Sequence, residues 1–308
     1  MTAQNSDIAV VGHLSIDTIL LPSRSAPFTI LGGAAAYTSF AAKKLDASAS
    51  VISKVGGNFP EAYLWWMGQE GIDLSGVTKL ADKPSTSFEL AYSKDLSERT
   101  LKLKSMGPAL SPEDVPKGFY AKAIHIAPLA NEISYELVEE LKQHADLLSL
   151  DPQGLLRSFD EAGNITENFS VDNRIFSLIN IYKSSQKEIY TLTGEVELKP
   201  AIKTIHDVGV ETVIVTLGEK GSVLSVEGAQ YSIDACPSQV LVDPTGAGDV
   251  FIGGFLTEYL RQKESLWCAS VGSAAASCVV EGIGTTYFGE KEEIYRRANC
   301  LYEKKLKQ

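Results

Sequence analysis

Short apolar segments alternate with longer amphipathic segments along most of the chain. The apolar segments are bounded by glycine or proline, which is typical of buried parallel strands, and they lie at residues 8–12, 51–56, 123–127, 147–150, 179–182 and 213–217. The amphipathic segments have helical spacing and lie near residues 33–46, 59–70, 131–145, 186–193, 199–208, 246–261, 265–281 and 289–306. This alternation predicts an α/β fold with a mostly parallel central sheet.

Two segments interrupt this pattern. In residues 84–104, Phe88, Leu90 and Tyr92 alternate with polar residues, a polar turn follows, and Leu101 and Leu103 alternate again. Residues 14–31 also begin as an alternating strand and return after two prolines. We therefore expect one domain over residues 1–308, with both segments inserted in it as a small β lid.

The charge of the chain narrows the choice of ligands. Its 308 residues are 44% apolar and 22% charged, and 28 Lys and Arg against 39 Asp and Glu give a net charge of −11. Such a surface repels nucleic acid and anionic membranes, so neither is an expected partner. A phosphorylated small ligand would have to be held by a local device, such as the backbone N–H groups at a helix N-terminus.

The cysteines and the first residues of the chain indicate where in the cell the protein is expected. Cys236, Cys268, Cys278 and Cys300 are scattered without a Cys-x-x-Cys pair, so they predict neither a zinc cluster nor a redox motif. Residues 1–7 lack the basic start of a signal peptide, and the next apolar run is too short to cross a bilayer. A cytoplasmic location is the expectation.

The strongest chemical motif is Val-Asp-Pro-Thr-Gly-Ala-Gly-Asp at residues 242–249. It follows the apolar residues 240–242, which predict a strand, and it opens a predicted helix. In that setting Gly246, Ala247 and Gly248 would direct their backbone N–H groups into one anion hole at the positive end of the helix.

Asp249 stands beside this anion hole, where a carboxylate would repel a bound phosphate. The task that fits it there is that of a general base for an attacking hydroxyl, while the loop stabilises the transferring phosphoryl group. The alternative for an isolated Gly-x-Gly-Asp is a first-turn residue that only complements the helix dipole.

Three stretches together resemble the PfkB family of carbohydrate kinases, which share the ribokinase-like fold. Residues 243–249, followed by Phe-x-Gly-Gly-Phe at 251–255, resemble the family's C-terminal signature, and Leu-Gly-Gly-Ala-Ala-Ala-Tyr at 31–37 resembles the N-terminal one. Val-Thr-Leu-Gly-Glu-Lys-Gly at 215–221 is similar to the family's nucleotide-phosphate turn. The resemblance implies a three-layer αβα fold and an ATP-dependent kinase.

The resemblance also implies site residues. Alternation from His13 puts Asp17 on one face of its strand, and family members use an aspartate there, with Gly32 and Gly33, to hold substrate hydroxyls. Tyr37 stands where sugar kinases commonly have an asparagine. The nucleotide phosphates would lie by four further residues: Thr216, Gly218, Gly221 and Thr245.

Further polar residues follow a predicted strand that ends at Leu150. Gln153 and Arg157 are substrate-binding candidates there, because ligands of open α/β sheets bind beyond the carboxyl ends of the strands. With Tyr37 and the hairpin, this segment is most similar to the archaeal and plant myo-inositol kinase branch.

One motif departs from the family pattern. An Asn-x-x-Glu usually organises Mg²⁺ and phosphates through water, and here Ser185 replaces the asparagine while Glu188 is kept. We expect Mg²⁺ dependence with Glu188 as the metal-side residue, and the alternative for Glu188 is a solvated helix residue. In some relatives a monovalent cation lies behind the position of Asp243.

The resulting hypothesis is ATP-dependent phosphorylation of a hydroxyl on a small sugar or polyol, with myo-inositol as the first expected acceptor. A nucleoside kinase, with Tyr37 or Phe88 as a platform for the base, is the alternative within the family. A sugar or nucleotide sensor without catalysis is the alternative outside the enzymes. Analogy of fold adds the expectation of a homodimer through the lid.

Overall fold

The computed structural model describes residues 5–22, 24–93, 99–168 and 171–306. In these residues the helices are α1 (Ala34–Lys44), α2 (Glu61–Gln69), α3 (Tyr135–Leu141), α4 (Gln186–Thr193), α5 (Leu198–Asp207), α6 (Ala247–Leu260), α7 (Ser265–Val279) and α8 (Lys291–Leu306). The strands are β1 (Asn5–Val11), β2 (Ser15–Leu20), β3 (Phe28–Gly32), β4 (Ala49–Gly56), β5 (Asp73–Leu80), β6 (Thr86–Tyr92), β7 (Arg99–Ser105), β8 (Tyr120–Ile126), β9 (Ala145–Leu150), β10 (Arg157–Phe159), β11 (Ile165–Glu167), β12 (Ile181–Ser185), β13 (Thr212–Thr216), β14 (Ser222–Val226) and β15 (Ala229–Ile233).

The main sheet has the order β15-β14-β13-β12-β9-β8-β1-β4-β5 within the described part of the chain. All neighbours from β13 to β5 pair in parallel, and β14 and β15 add an antiparallel edge. Parallel strands must be joined by crossovers, which places helices on both faces. One face is packed by α1, α6 and α7, and the other by α3, α4 and α5. The predicted αβα fold class is confirmed.

A second sheet has the order β3-β2-β6-β7. It consists of two antiparallel pairs joined by the parallel pairing of β2 with β6, which sets Asp17 beside Ile30 on one side and Phe88 on the other. Its strands fall in the two segments expected to form a lid, residues 14–31 and 84–104. The tip of the hairpin, residues 94–98, lies outside the described residues.

The segment before the glycine loop differs from the prediction. Residues 240–242 form no strand, and Val240 and Leu241 are 54% and 57% exposed. The backbone N–H groups of Val242 and Asp243 both donate to the carbonyl of Val280 at the end of α7, which replaces strand pairing. An apolar run alone cannot separate a strand from a segment held in this way. The helices of the described residues include none long and apolar enough to cross a membrane.

A buried glutamate holds the junction between the two sheets. Glu132 is 3% exposed and accepts hydrogen bonds from the backbone N–H groups of His13, Leu129 and Ala130 at 2.8–3.0 Å. His13 is buried too, and its ring bonds to the Thr86 hydroxyl and to the carbonyl of Pro108. His13 therefore makes the hydrogen bonds that the sequence-based interpretation expected of it.

We predict that Glu132→Ala lowers the free energy of unfolding by about 3 kcal/mol, because it leaves buried N–H donors without an acceptor. Urea denaturation at pH 7 measures this loss. The exposed Glu303→Ala in α8 is the matched control and should change stability by less than about 0.5 kcal/mol. Equal small effects of both substitutions would contradict the role of Glu132.

Candidate active site

The carboxyl ends of β1, β8, β9, β12 and β13 share one edge of the main sheet because these strands are parallel. Polar segments follow three of these ends: the turn at Pro152–Gly154 after β9, α4 after β12, and the turn at Gly218–Lys220 after β13. The N-terminus of α6 points to the same edge. The candidate site is therefore built where open α/β sheets bind ligands.

The glycine loop at the start of α6 has the backbone that an anion hole needs. Gly246 caps the helix with a left-handed φ of 77°, and its Cα lies against the Tyr37 ring, so a Cβ there would come within 2.2 Å of that ring. A Cβ on Gly248 would lie 2.4 Å from the ammonium nitrogen of Lys183. Glycine at both positions lets the loop pack onto a buried aromatic ring and a buried cation, and the N–H of Ala247 between them lies 3.4 Å from the carbonyl of Pro244.

Lys183 is the positive charge beneath this loop. It is 4% exposed, and its ammonium nitrogen donates to Oδ2 of the buried Asp151 at 2.5 Å. Burial alone lowers the pKa of Lys183, but the carboxylates of Asp151 and Asp249 outweigh it, and the pKa of Lys183 lies above its ordinary value. Lys183 therefore stays charged beneath the loop of a chain whose net charge is −11.

Asp249 lies in the first turn of α6 and is partly exposed toward a pocket. Burial of its carboxyl raises the pKa of Asp249 to about 7, the charge of Lys183 opposes that rise, and the carboxylate of Asp151 adds to it. Arg157 also lowers this pKa and Glu188 also raises it. A carboxylate that takes up a proton near neutral pH has the strength required of a general base.

Gln153 and Arg157 lie beside Asp249. The side-chain amide nitrogen of Gln153 donates to Oδ1 of Asp249 at 3.1 Å, and its amide oxygen accepts from Nη2 of Arg157 at 2.8 Å. Arg157 also donates to the carbonyl of Leu129 at 3.2 Å. Both residues line the pocket, as expected for substrate-binding candidates, but Gln153 uses its amide on Asp249.

Asp17 lines the same pocket as Asp249. It is 6% exposed, and the Ser15 hydroxyl donates to its Oδ1 at 2.7 Å. Its Oδ2 lies against Gly32, where a Cβ would come within 2.0 Å, so the glycine makes room for the carboxylate. The pocket also has apolar lining side chains from the second sheet and from the segment after β8, namely Phe88, Leu90, Leu101 and Leu129, with Gly33, Ala34 and Tyr37 at the start of α1.

The second sheet is tied directly to the glycine loop. The Tyr92 hydroxyl at the end of β6 donates to Oδ1 of Asp243 at 2.7 Å and lies 3.3 Å from the Thr245 hydroxyl. The same Oδ1 accepts from the backbone N–H and hydroxyl of Thr245, and Oδ2 accepts from the N–H of Gly284. Asp243 therefore organises the turn before Gly246, and Tyr92 attaches the lid strands to it.

The remaining predicted residues lie outside this pocket. Thr216 ends β13, Gly218 begins the turn after it, and Gly221 has a Cα that lies against the backbone of Ile233 and leads into β14. Glu188 accepts from both the backbone N–H and the hydroxyl of Ser185, so the two form the capping box of α4. The described residues contain no group of three or more metal-binding side chains.

Sequence reasoning missed Lys183, Ser15 and the contact of Tyr92. Lys183 follows the apolar residues Ile181 and Tyr182 in a strand buried within the sheet, and a lysine in such a strand is a signal of a paired buried charge. The Ser15 contact could have been found, since Ser15 and Asp17 share a strand face. The Tyr92 contact joins positions 151 residues apart, and no local pattern predicts it.

The chain matches known proteins over nearly all of its length. Residues 5–292 match the pfkB family of carbohydrate kinases. A cytidine kinase of Thermococcus kodakarensis is 30% identical over 90% of this chain and 97% of that protein, and an inositol 3-kinase of Oryza sativa subsp. japonica is 28% identical over 92% and 70%. The crystal structure of a nucleoside kinase of Methanocaldococcus jannaschii, 24% identical, superposes with a TM-score of 0.78 over 96% of this chain and 98% of that one. The chain belongs to the pfkB family of carbohydrate kinases, and it is a phosphotransferase that acts on a hydroxyl group.

The raised pKa of Asp249 predicts a pH-dependent stability difference. As pH rises from about 4 to about 7, the unfolded chain releases this proton before the folded one does, so the wild-type protein loses stability over that window. Asp249→Asn carries no such charge and keeps an Oδ1 for Gln153. We expect it to melt at a higher temperature than wild type at pH 8, with a gain that shrinks toward pH 4.

Thermal denaturation of both proteins at pH 4, 5, 6, 7 and 8 measures this difference. Asp82→Asn is the control, since it makes the same substitution at an exposed position. A difference between Asp249→Asn and wild type that stays constant with pH would refute the raised pKa.

Proposed function

We propose that this pfkB-family protein is an ATP- and Mg²⁺-dependent nucleoside kinase, which phosphorylates a ribose hydroxyl. The observation that supports a nucleoside is the composition of the acceptor pocket, which joins the buried carboxylate of Asp17 to a cluster of apolar side chains that includes Phe88, Leu90 and Leu101. The cytidine kinase among the relatives supports the same class of acceptor.

A nucleoside has a polar ribose and a base with flat apolar faces, which match the polar and apolar parts of the pocket. Its ribose diol can donate two hydrogen bonds to Asp17, and its flat base can pack on Phe88, Leu90 and Leu101. Hydroxyls turned toward these apolar side chains would lose their hydrogen bonds to water without replacement. An acceptor with hydroxyls around its whole ring is therefore less well matched.

myo-Inositol remains the second candidate acceptor. Arg157 lines the same pocket and brings a donor that could bond a hydroxyl away from Asp17. The inositol 3-kinase among the relatives supports this class as well. The two acceptors differ in the groups that would pack on Phe88, Leu90 and Leu101, which are a flat base in a nucleoside and ring hydroxyls in myo-inositol. A panel of acceptors distinguishes them.

The proposed phosphoryl transfer divides its tasks between two carboxylates and the glycine loop. Asp17 holds the acceptor, Asp249 takes the proton of the attacking hydroxyl, and the N–H groups of Gly246, Ala247 and Gly248 stabilise charge on the phosphoryl group. Lys183 beneath the loop adds a positive charge to this region. When bound, Mg-ATP supplies the phosphoryl group.

The residues of the site fit a nucleoside triphosphate that brings its own bound metal ion. They fit less well a metal ion that is held by protein side chains alone. The left-handed glycine cap and Lys183 suit phosphate, while Glu188 is the acidic residue proposed for the metal side and has one oxygen committed to Ser185. Mg²⁺ is commonly bound by one or two carboxylates plus substrate phosphates. Thr216, Gly218, Gly221 and Thr245 stay proposed nucleotide-side residues, and the monovalent cation, the homodimer and the exclusion of nucleic acid stay predictions.

The acceptor panel is the direct test. We expect Mg-ATP-dependent ADP formation with cytidine or adenosine at a kcat/KM at least tenfold above that with myo-inositol, ribose, fructose 6-phosphate or 2-keto-3-deoxygluconate. Burial of one extra matched apolar group already accounts for about a tenfold preference. Asp249→Ala should lower kcat by about 10³-fold with the best acceptor, because it removes the base and little packing.

The alternative outcomes identify the competing functions. myo-Inositol at the top of the panel would replace the nucleoside proposal with the inositol one. ATP binding by a folded protein without turnover on any acceptor would favour a sensor. Near-wild-type turnover by Asp249→Ala would refute its role as the base.

A second prediction concerns the contact between the lid and the loop. Tyr92→Phe removes the hydrogen bond to Asp243 but keeps the ring, so closure of the second sheet over the site should weaken. Without acceptor, ATP hydrolysis should rise by about two- to tenfold, the range that one hydrogen bond accounts for. Phosphate release by Tyr92→Phe is compared with that by Tyr231→Phe, which changes an exposed tyrosine of β15. Unchanged hydrolysis in Tyr92→Phe would argue against water exclusion by the lid.

A further inference from the structure

We propose that Gln153 is a positioning residue for Asp249: its amide, oriented by Arg157, holds one oxygen of the carboxylate so that the other can take the proton of the acceptor. This assigns to Gln153 a task on the base rather than on the substrate. The inference rests on the proposed function, because it presupposes that Asp249 acts as the base.

The backbone of Gln153 is fixed by a hydrogen bond of its own. Gln153 lies in the short 3₁₀ turn Pro152–Gly154, and its backbone N–H donates to Oδ1 of Asp151 at 3.1 Å. The other oxygen of Asp151 accepts from Lys183. Since Asp151 is 1% exposed and paired with a buried cation, the turn that carries Gln153 is anchored to the strand next to β9.

Arg157 determines which way the amide points. A guanidinium can only donate, so the oxygen of the Gln153 amide must face Nη2 of Arg157, 2.8 Å away, and the NH₂ group then faces Asp249. The reversed amide would set donor against donor at Arg157 and acceptor against acceptor at Asp249. Arg157 is itself held by the carbonyl of Leu129.

The charges around Asp249 explain why its carboxylate needs to be held in one orientation. Four charged groups act on its carboxyl: Lys183 and Arg157 attract the carboxylate, and Asp151 and Glu188 repel it. A carboxylate that could rotate would turn toward the buried ammonium of Lys183, away from the pocket. The Gln153 N–H donor competes with that rotation from the pocket side, engages Oδ1 and leaves Oδ2 for the proton.

The donor also stabilises the charged form of the base. A hydrogen bond to a carboxylate favours the carboxylate over the acid, so removal of the donor should raise the pH at which Asp249 becomes active. A substrate-binding role would act differently, because it would raise the acceptor KM and leave that pH unchanged. The two roles can therefore be told apart.

The experiment compares Gln153→Met, Gln153→Glu and the control Gln69→Met, an exposed position at the end of α2. With the best acceptor and Mg-ATP, kcat, acceptor KM and the pH dependence of kcat are measured from pH 5 to 9. For Gln153→Met we expect kcat to fall about 10- to 100-fold, the acceptor KM to stay within about threefold and the acid limb to move up by about one pH unit. Gln153→Glu should move the limb further, since it sets a second carboxylate beside Asp249. Gln69→Met should match wild type.

Three results would overturn the proposal. A raised KM with unchanged kcat and unchanged acid limb would make Gln153 a substrate-binding residue. A lowered melting temperature together with an unchanged acid limb would make it a structural residue only. Acid limbs of Gln153→Met and Gln153→Glu that both match that of wild type would show that the amide does not act on Asp249.

A second measurement keeps the test independent of activity. The stability lost in Gln153→Met should be larger at pH 8, where Asp249 is charged, than at pH 5, and this pH dependence should disappear when Asp249→Asn is added. If no acceptor supports turnover, the proposed function fails, but this cycle still reports whether Gln153 acts on the carboxylate. A loss that is equal at both pH values would overturn the proposal on its own.

Discussion

The site depends on the placement of one buried cation between two carboxylates at the start of a helix. Lys183 is paired with Asp151 and attracted by Asp249, and its ammonium lies where the Cβ of any other residue at 248 would be. Without Lys183, two carboxylates would face each other under a loop whose proposed task is to hold phosphate. The glycine at 248, the turn after β9 and the charge state of Asp249 all follow from this arrangement.

The two sheets of the molecule meet at the same loop. The turn that Asp243 organises precedes α6, and the second sheet contributes Tyr92, which bonds to Asp243, and Asp17, which lines the same pocket as Asp249. Glu132 and His13 hold the base of this junction on the other side. The second sheet is therefore joined to the turn before Gly246 by a direct hydrogen bond.

Local features of the site could be predicted from the sequence, and distant contacts could not. The glycine loop, the Asp17 face of β2 and helix α4 at Gln186–Thr193 rest on residue spacing, which a sequence displays. The capping role of Glu188 could also be predicted, because Ser-x-x-Glu before a helix is a capping box. The family resemblance implied instead that Glu188 lies beside the metal ion. The hydrogen bond between Gln153 and Asp249 joins residues 96 positions apart. It depends on how the turn after β9 packs against α6, and the spacing of residues in the sequence does not predict that packing.

The environment of Asp249 is a compromise between folding and base strength. Burial raises its pKa to about 7, which favours proton uptake but makes the charged form costly for the folded chain above that pH. Full pairing with Lys183 would relieve this cost and would also weaken the base, because an ion-paired carboxylate holds a proton less readily. The cation is instead bonded to Asp151, while Asp249 receives the weaker hydrogen bond of a neutral amide. This arrangement lets Asp249 gain and lose a proton near neutral pH.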